Sequence, residues 1–215
     1  MNSALKAFNK HYNFCNLSAR FLVVVLAAGS VSTMAVANER AATDTARQET
    51  APATTLQAVA RLEQSDARLK TAEQLLVQLV NAERAKAGLA ALTNDGQLAD
   101  TARAHSAEMR DRKYFSHKSP TPGLHGLLDR YRAVFQTAPA VVSENICGGG
   151  SLSPQFGEQD VKRAHASLMD SAGHRTNILD STVTHVGLGI ITDASGKFWI
   201  TQMFARPQTV RTASR

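Results

Sequence analysis

Two strand-like runs near the C-terminus constrain the fold of this chain more than any other feature. Residues 186–191 and 198–204 are rich in β-branched, aromatic and other apolar side chains, which is the composition of strands. The segment Asp193-Ala194-Ser195-Gly196 between them consists mainly of residues that favour turns. The pattern predicts a β-hairpin, and residues 141–146 are a third candidate strand.

Helical patterns lie on both sides of these candidate strands. Apolar residues recur at helical spacing in four segments, which are 71–88, about 95–112, 124–134 and 158–171. Helices that precede and follow strands, rather than alternating with them, are typical of an α+β domain in which helices and sheet pack in layers.

The first 37 residues have the organisation of an export signal. A basic region leads into the apolar stretch 21–28, and the segment ends in the small-residue pattern Ala35-Val36-Ala37. We therefore predict a signal peptide over 1–37 and an exported protein, either periplasmic or extracellular. The alternative is a retained membrane anchor, although the apolar stretch falls short of the ~20 residues of a spanning helix.

The rest of the chain divides by composition. Residues 38–70 are predicted to be a flexible tether with a possible helix at 56–70, which alternatively serves self-association. Residues 71–207 are predicted to form the one folded domain, followed by a C-terminal tail at 208–215. Contact with a membrane is expected only through the signal segment.

The charge of the chain argues against nucleic-acid binding. The formal net charge is +6, from 24 Lys+Arg and 18 Asp+Glu, but half of the excess lies in the signal segment, at Lys6, Lys10 and Arg20. No run of basic residues follows that would form a phosphate-binding stripe.

Three clusters contain the residues best suited to chemistry. They are Tyr114-Phe115-Ser116-His117-Lys118-Ser119-Pro120, Ser143-Glu144-Asn145-Ile146-Cys147-Gly148-Gly149-Gly150 and Ser171-Ala172-Gly173-His174-Arg175-Thr176-Asn177-Ile178-Leu179. None contains a closed metal motif, a nucleophile elbow or a phosphate loop. Two imidazoles and a carboxylate suit a divalent ion such as Zn²⁺, or an acid–base pair without metal. The alternative is a pair of loop histidines bonded to backbone.

The order and spacing of these and other motifs closely resemble the CAP superfamily, also called SCP domains, over residues 79–207. The superfamily includes cysteine-rich secretory proteins, antigen 5 and plant pathogenesis-related proteins. The further matching residues are Asn81-Ala82-Glu83-Arg84, Gly88-Leu89, Leu92, Leu98, Ala102, His105-Ser106, Met109, Gly187-Leu188-Gly189, Trp199-Ile200-Thr201-Gln202 and Phe204. The Gly-His-Arg form of the last cluster and the lack of disulfides are similar to the bacterial branch.

The resemblance implies a three-layer α-β-α sandwich with a central cleft that holds two histidines and two acidic residues. Carried over, the histidines are His117 and His174, which in some family members bind Zn²⁺ or another divalent cation, and the first acid is Glu144. The position of the second acid falls at Ser171, with Asp170 beside it. A tryptophan usual in the family is replaced by Leu168.

Two functions follow from the resemblance. The first is a binding module, whose cleft engages an envelope, lipid or host ligand with or without a divalent ion on His117 and His174. The second is a metal-assisted, peptidase-like hydrolase in which Glu144 activates water and is the catalytic residue. The sequence leaves open whether the protein is an enzyme.

The remaining histidines and the second cysteine have simpler interpretations. His105 falls on the apolar face of its helix and is predicted to be a hydrogen-bonded core histidine. Cys15 lies in the signal segment, so Cys147 has no partner for an internal disulfide. We interpret Cys147 as a small buried residue, with a Cys-His nucleophile as the alternative. His125, His165 and His185 are predicted to be structural or exposed to solvent.

Overall fold

The computed structural model of the protein describes residues 53–152 and 155–208. In chain order the elements are α1 Ala53–Lys86, β1 Thr93–Asn94, α2 Gly96–Asp111, α3 Leu127–Phe135, β2 Pro139–Gly150, α4 Glu158–Asp170, α5 Ala172–Ile178, β3 His185–Thr192 and β4 Lys197–Pro207. The predicted signal peptide at 1–37, the first part of the predicted tether and all but the first residue of the predicted tail lie outside the described residues.

The predicted hairpin forms the centre of a four-stranded sheet with the order β1-β3-β4-β2. Strands β3 and β4 pair antiparallel around the predicted turn, where Gly196 has a φ of 79°. Strand β2 pairs antiparallel with β4, whereas β1 is parallel to β3. Because β2 lies at an edge of this sheet, loops from both faces can meet around it.

One face of the sheet is covered by α2 and α3. Helix α2 lies directly on β3, because a Cβ on Gly187 would come within 2.2 Å of the backbone of Leu98 and Ala99, and one on Gly189 within 2.1 Å of Arg103. Only glycine fits at so close a helix–strand approach. On this face Leu98 packs with Met203 of β4.

The opposite face of the sheet is covered by α1 and α4. Its core joins apolar residues of both helices and of β2, β3 and β4, namely Leu76, Val80, Cys147, Val161, Leu168, Val186, Leu188, Ile190, Ile200 and Phe204. The alternation of strand side chains sends Gly187 and Gly189 to one face and Leu188 and Ile190 to the other. The protein is therefore the α-β-α sandwich that the sequence predicted.

Three elements differ from the sequence prediction in extent. Helix α1 has 34 residues and runs without a break through the predicted boundary at residue 70. Strand β2 has 12 residues and continues through the glycine run, because β4 supplies backbone partners as far as Gly150. His174, which lies outside the four predicted helices, is in the short helix α5.

Helix α5 is tied to the end of α1 by a buried arginine. The Arg84 side chain is 1% exposed and donates to the carbonyl oxygens of Ala90, Ile178 and Asp180, at 2.9, 2.9 and 2.8 Å. The bonds to Ile178 and Asp180 satisfy backbone carbonyls at and just beyond the end of α5, which have no intrahelical partners. They fix the position of the helix that contains His174.

Candidate functional site

Glu144 is the buried centre of the candidate site. It lies on the edge strand β2, with its side chain on the α2 and α3 face and 2% exposed. Arg130 Nη2 donates to Glu144 Oε2 at 2.6 Å, and His117 Nδ1 lies 2.9 Å from Glu144 Oε1. Both carboxylate oxygens therefore have a partner from the layer above the sheet.

These partners keep the Glu144 carboxylate ionised. Burial, the largest single influence, raises the pKa of Glu144, but the hydrogen bond with His117 and the positive charge of Arg130 together lower it below its ordinary value. Because an ionised carboxylate only accepts hydrogen bonds, His117 Nδ1 is the donor. This bond uses Nδ1 and leaves the other ring nitrogen, Nε2, to other partners.

His117 presents its imidazole to solvent. Its side chain is 53% exposed, and its carbonyl oxygen accepts a bond from Arg130 Nη1 at 3.1 Å. Arg130 therefore fixes both the carboxylate that orients the ring and the backbone that supports it. A histidine held through Nδ1 by a carboxylate is the usual arrangement of metal-ligating imidazoles.

Arg130 is not among the residues that the sequence motifs indicate. Its side chain is only 4% exposed, although it lies in the predicted third helix with no motif around it. The sequence gives one chemical indication of such a partner, since a buried glutamate needs a cation or a set of donors nearby. Any of several arginines met that need, and only the packing of α3 against β2 selects Arg130.

His174 reaches the cleft from the opposite layer. Asn145 Nδ2 donates to the carbonyl oxygen of His174 at 3.0 Å and to Gln202 Oε1 at 3.0 Å. Asn177 Nδ2 in turn donates to Asn145 Oδ1 at 2.8 Å and to the carbonyl oxygen of Glu144 at 3.3 Å. This amide network fastens α5 to the strand that contains Glu144.

One ring nitrogen of His174 is buried without a partner in the described part of the chain. Among the residues that the structure describes, none forms a hydrogen bond with its buried Nδ1. Burial lowers the pKa of His174, and the positive charge of His117 lowers it further. The two imidazoles therefore lie within electrostatic range of each other.

The second acidic position is not filled from this part of the chain. Asp170 ends α4 with an exposed side chain, and Ser171 is the N-cap of α5 without a side-chain capping bond. Over 53–152 and 155–208 neither side chain is hydrogen-bonded to His117, Glu144 or His174. The structure thus joins His117 and Glu144 directly, adds His174 from the other layer, and leaves Asp170 and Ser171 outside this network.

A second, partly buried carboxylate fixes the loop that contains His117. Glu108 accepts hydrogen bonds from Arg112, Tyr114, Ser119 and Thr121, at 3.3, 2.7, 2.9 and 2.5 Å. Burial raises the pKa of Glu108, but the bonds led by that of Thr121 lower it to about 2. The Glu108 carboxylate thus accepts bonds from residues before and after His117 in the sequence, and these bonds restrain the loop.

His105 is the core histidine that the sequence predicted. It is 1% exposed, its Nε2 lies 3.1 Å from the carbonyl oxygen of Ser116, and burial lowers its pKa. Of the other histidines, His125 Nδ1 contacts the carbonyl oxygen of Ser119 and His185 Nδ1 contacts Thr184 Oγ1, both at 2.8 Å, whereas His165 is buried.

Cys147 does not share a face with Glu144. The two residues are three positions apart on β2, so their side chains point to opposite faces of the sheet. Cys147 is 2% exposed in the core between the sheet and α1 and α4. The structure confirms the interpretation of a small buried residue and does not support a nucleophile in the cleft.

The fold agrees with the comparisons to known families. The profile of the CAP family, the cysteine-rich secretory protein family, matches residues 77–204. Because this match covers more than half of the chain, the protein belongs to the CAP family.

Two proteins of Bacillus subtilis are similar in sequence. YkwD is 38% identical over 135 residues, which are 62% of this chain and 47% of YkwD. The membrane protein YlbC is 33% identical over 121 residues, which are 56% of this chain and 32% of YlbC. The chain therefore spans less than half the length of these relatives.

Two solved structures have similar folds. An extracellular protein with an SCP domain from Bacillus anthracis is 31% identical, with a TM-score of 0.53 over 64% of this chain and 41% of that chain. An outer surface protein of Borrelia burgdorferi is 14% identical, with a TM-score of 0.56 over 65% of this chain and 95% of that chain, a likeness of fold alone. These neighbours are extracellular or surface proteins, and no helix in the described part of this chain has the length and apolar character to cross a membrane.

Proposed function

We propose that this CAP protein is exported and that its His117–Glu144–His174 cleft binds an envelope or extracellular ligand, with a divalent cation on His117 and His174. The N-terminal segment 1–37 and the extracellular neighbours support export. The observation that carries the binding function is the orientation of His117, whose Nδ1 is held by Glu144 while more than half of its side chain is exposed. That orientation directs Nε2 to a ligand.

The donor set fits a loosely held divalent ion. His117 Nε2 and the unpartnered ring of His174 are available as ligands, whereas both oxygens of Glu144 are occupied by Arg130 and His117. The described residues contain no group of three or more His, Cys, Asp or Glu that would hold a metal. An ion with two protein ligands keeps its other positions for water or for groups of the bound molecule, unlike a closed structural zinc.

The contacts of Glu144 argue against the hydrolase alternative. A general base must accept a proton near neutral pH. Arg130 and His117 occupy both oxygens of Glu144 and hold its pKa below the ordinary value. The carboxylate is therefore better suited to orienting His117 than to activating water.

Zinc binding by the full-length chain tests the proposal. We expect calorimetry to find one Zn²⁺ per chain, and a His117→Ala/His174→Ala double variant to bind at least tenfold more weakly. Asp170→Asn is the matched control, because this exposed carboxylate lies beside the site without contact to either histidine; its affinity should equal that of wild type.

Two results would contradict the proposal. Unchanged zinc affinity in the double variant would remove the metal from this cleft. Turnover of a peptide, ester or glycan panel that is abolished by Glu144→Gln, with the fold intact by circular dichroism, would establish the hydrolase instead.

A further inference from the structure

A second concave surface lies on the α2 face of the sheet, beyond the histidine cleft. It is a groove of about 440 Å³, formed by the end of α2, the loop that follows it, the end of β2 and the hairpin. Its main side chains are Arg110, Lys113, Phe115, Lys197 and Trp199, above a floor of Gly148 and Gly149. Gly148 lies four positions after Glu144 on β2, a distance of about 13 Å along the strand.

The aromatic lining of this groove depends on glycine in β2. A Cβ on Gly148 would lie 3.1 Å from Phe115 Cε2 and 3.2 Å from the carbonyl oxygen of Phe198. Gly148 is also the direct cross-strand partner of Trp199. The absence of a side chain at Gly148 therefore lets Phe115 lie against the strand, and both Phe115 and Trp199 line the groove.

Two lysines at the rim are available to an anion. Lys113 lies just after the end of α2 with a φ of 56°, a left-handed conformation that is unfavourable for a residue other than glycine. Among the described residues, neither Lys113 nor Lys197 takes part in a salt bridge within 4.0 Å, whereas Arg110 is paired with Asp111.

The carboxylate that lines the groove is engaged by its own turn. Asp193 Oδ1 accepts bonds from the backbone nitrogens of Ser195 and Lys197 and from Ser195 Oγ, at 2.8, 3.0 and 2.7 Å. The rim therefore contains an Arg110–Asp111 ion pair, two lysines and the Asp193 carboxylate, which leaves the groove a small excess of positive charge.

We propose that this groove binds an acidic carbohydrate, a short chain of pyranose rings that carry carboxylates. The apolar face of a pyranose packs on the aromatic surface of Trp199 and Phe115, because its axial C–H groups face the ring electrons. The hydroxyl groups stay in the open groove, and the carboxylates reach Lys113 and Lys197. The groove volume lies in the range of small-molecule sites.

The sole tryptophan of the chain provides the measurement. Because Trp199 lines the groove and the chain has 1 Trp, its fluorescence reports occupancy without a label. Trigalacturonic acid is the probe, and its methyl ester is the matched neutral ligand with the same rings. We expect saturable quenching by the acid that weakens with rising salt, and binding of the ester that is at least tenfold weaker.

Variants of the full-length chain separate the groove from the histidine cleft. We expect Lys113→Gln/Lys197→Gln to raise the Kd for trigalacturonic acid about tenfold, since two exposed charge pairs together contribute on this scale. Lys118→Gln, which removes an exposed lysine outside the groove lining, should leave the Kd unchanged. His117→Ala/His174→Ala should also leave it unchanged, so failure of the proposed function and failure of this inference are distinguishable.

Three results would overturn the inference. They are no saturable quenching by trigalacturonic acid, equal quenching by the acid and its methyl ester, and an unaltered Kd in the double lysine variant. Quenching by palmitate but not by the acidic sugar would assign the groove to a lipid instead.

Discussion

His117 and His174 are attached to neighbouring residues of the edge strand β2, and the protein holds them by different interactions. His117 is hydrogen-bonded through its ring to Glu144, a carboxylate buried with Arg130. His174 has no ring hydrogen bond with the described residues at its buried Nδ1, and the amide side chain of Asn145 holds it through the backbone. His117 is thus held by buried charged groups, whereas His174 is held by neutral amides.

This difference predicts how much substitutions near each histidine should destabilise the protein. A buried charge that loses its partner is left with a large desolvation penalty, whereas a buried amide that loses its partner forfeits hydrogen bonds of moderate strength. Substitutions on the Glu144 side should therefore destabilise the domain most. Substitutions on the His174 side should mainly destabilise α5. Protonation should change the charge of the rings.

Replacing the buried cation should have the largest effect. Arg130→Met keeps most of the side-chain volume but leaves Glu144 buried without a cation, so we expect a loss of about 3–5 kcal/mol in the free energy of unfolding. Urea denaturation measures the loss. Arg132→Met, an exposed neighbour on α3, is the control and should change stability by less than about 0.5 kcal/mol. A loss of the same small size in Arg130→Met would refute the importance of the buried pair.

Breaking the amide network should have an intermediate effect. Asn145→Ala removes the donor to His174 and Gln202 and the acceptor for Asn177, so we expect a cost of about 1–3 kcal/mol. Hydrogen exchange should show faster exchange in α5 than in α2, because α5 is held to β2 by these bonds. Equal acceleration in both helices would instead indicate that Asn145 supports the whole sandwich.

Protonation of His174 should have the smallest effect. Burial, helped by the positive charge of His117, lowers the pKa of His174 below its ordinary value. The unfolded chain then takes up this proton more readily than the folded one, so the contribution of His174 to stability is complete above its unfolded pKa of about 6.5 and falls as pH decreases.

Imidazole NMR titration tests this pH dependence. His117→Gln removes the nearby charge, so the pKa of His174 should rise towards the ordinary value in that variant. His185→Gln is the control and should leave the His174 titration unchanged. A His174 pKa that is identical in all three proteins would contradict a shared cleft.

Much of the fold was predictable from local pattern. The hairpin, the third strand and four helices follow from side-chain periodicity and turn residues, and all are present in the sandwich. The length of β2 was not predictable, because a Gly148-Gly149-Gly150 run has no strand propensity and is extended here only through its bonds with β4. The continuity of α1 across residue 70 was also missed, since its apolar face is thin there.

The site was predictable in part. Family resemblance pointed to His117, Glu144 and His174, and the structure joins the first two within 2.9 Å. Arg130 has no local pattern that distinguishes it from other arginines, and Asp170, a candidate by position, has an exposed side chain. The contacts of such charged residues depend on which elements pack together.

The sequence by itself determined the layered α+β architecture, the family and the candidate histidines, because periodicity and motif spacing are local properties of the chain. Tertiary structure decided the rest. It placed β2 at the edge of the sheet, so that loops from two layers meet there. It also buried Glu144 with Arg130 on one face of the sheet and placed Cys147 in the core on the other face. Side-chain alternation along a strand separates residues that are close together in a motif.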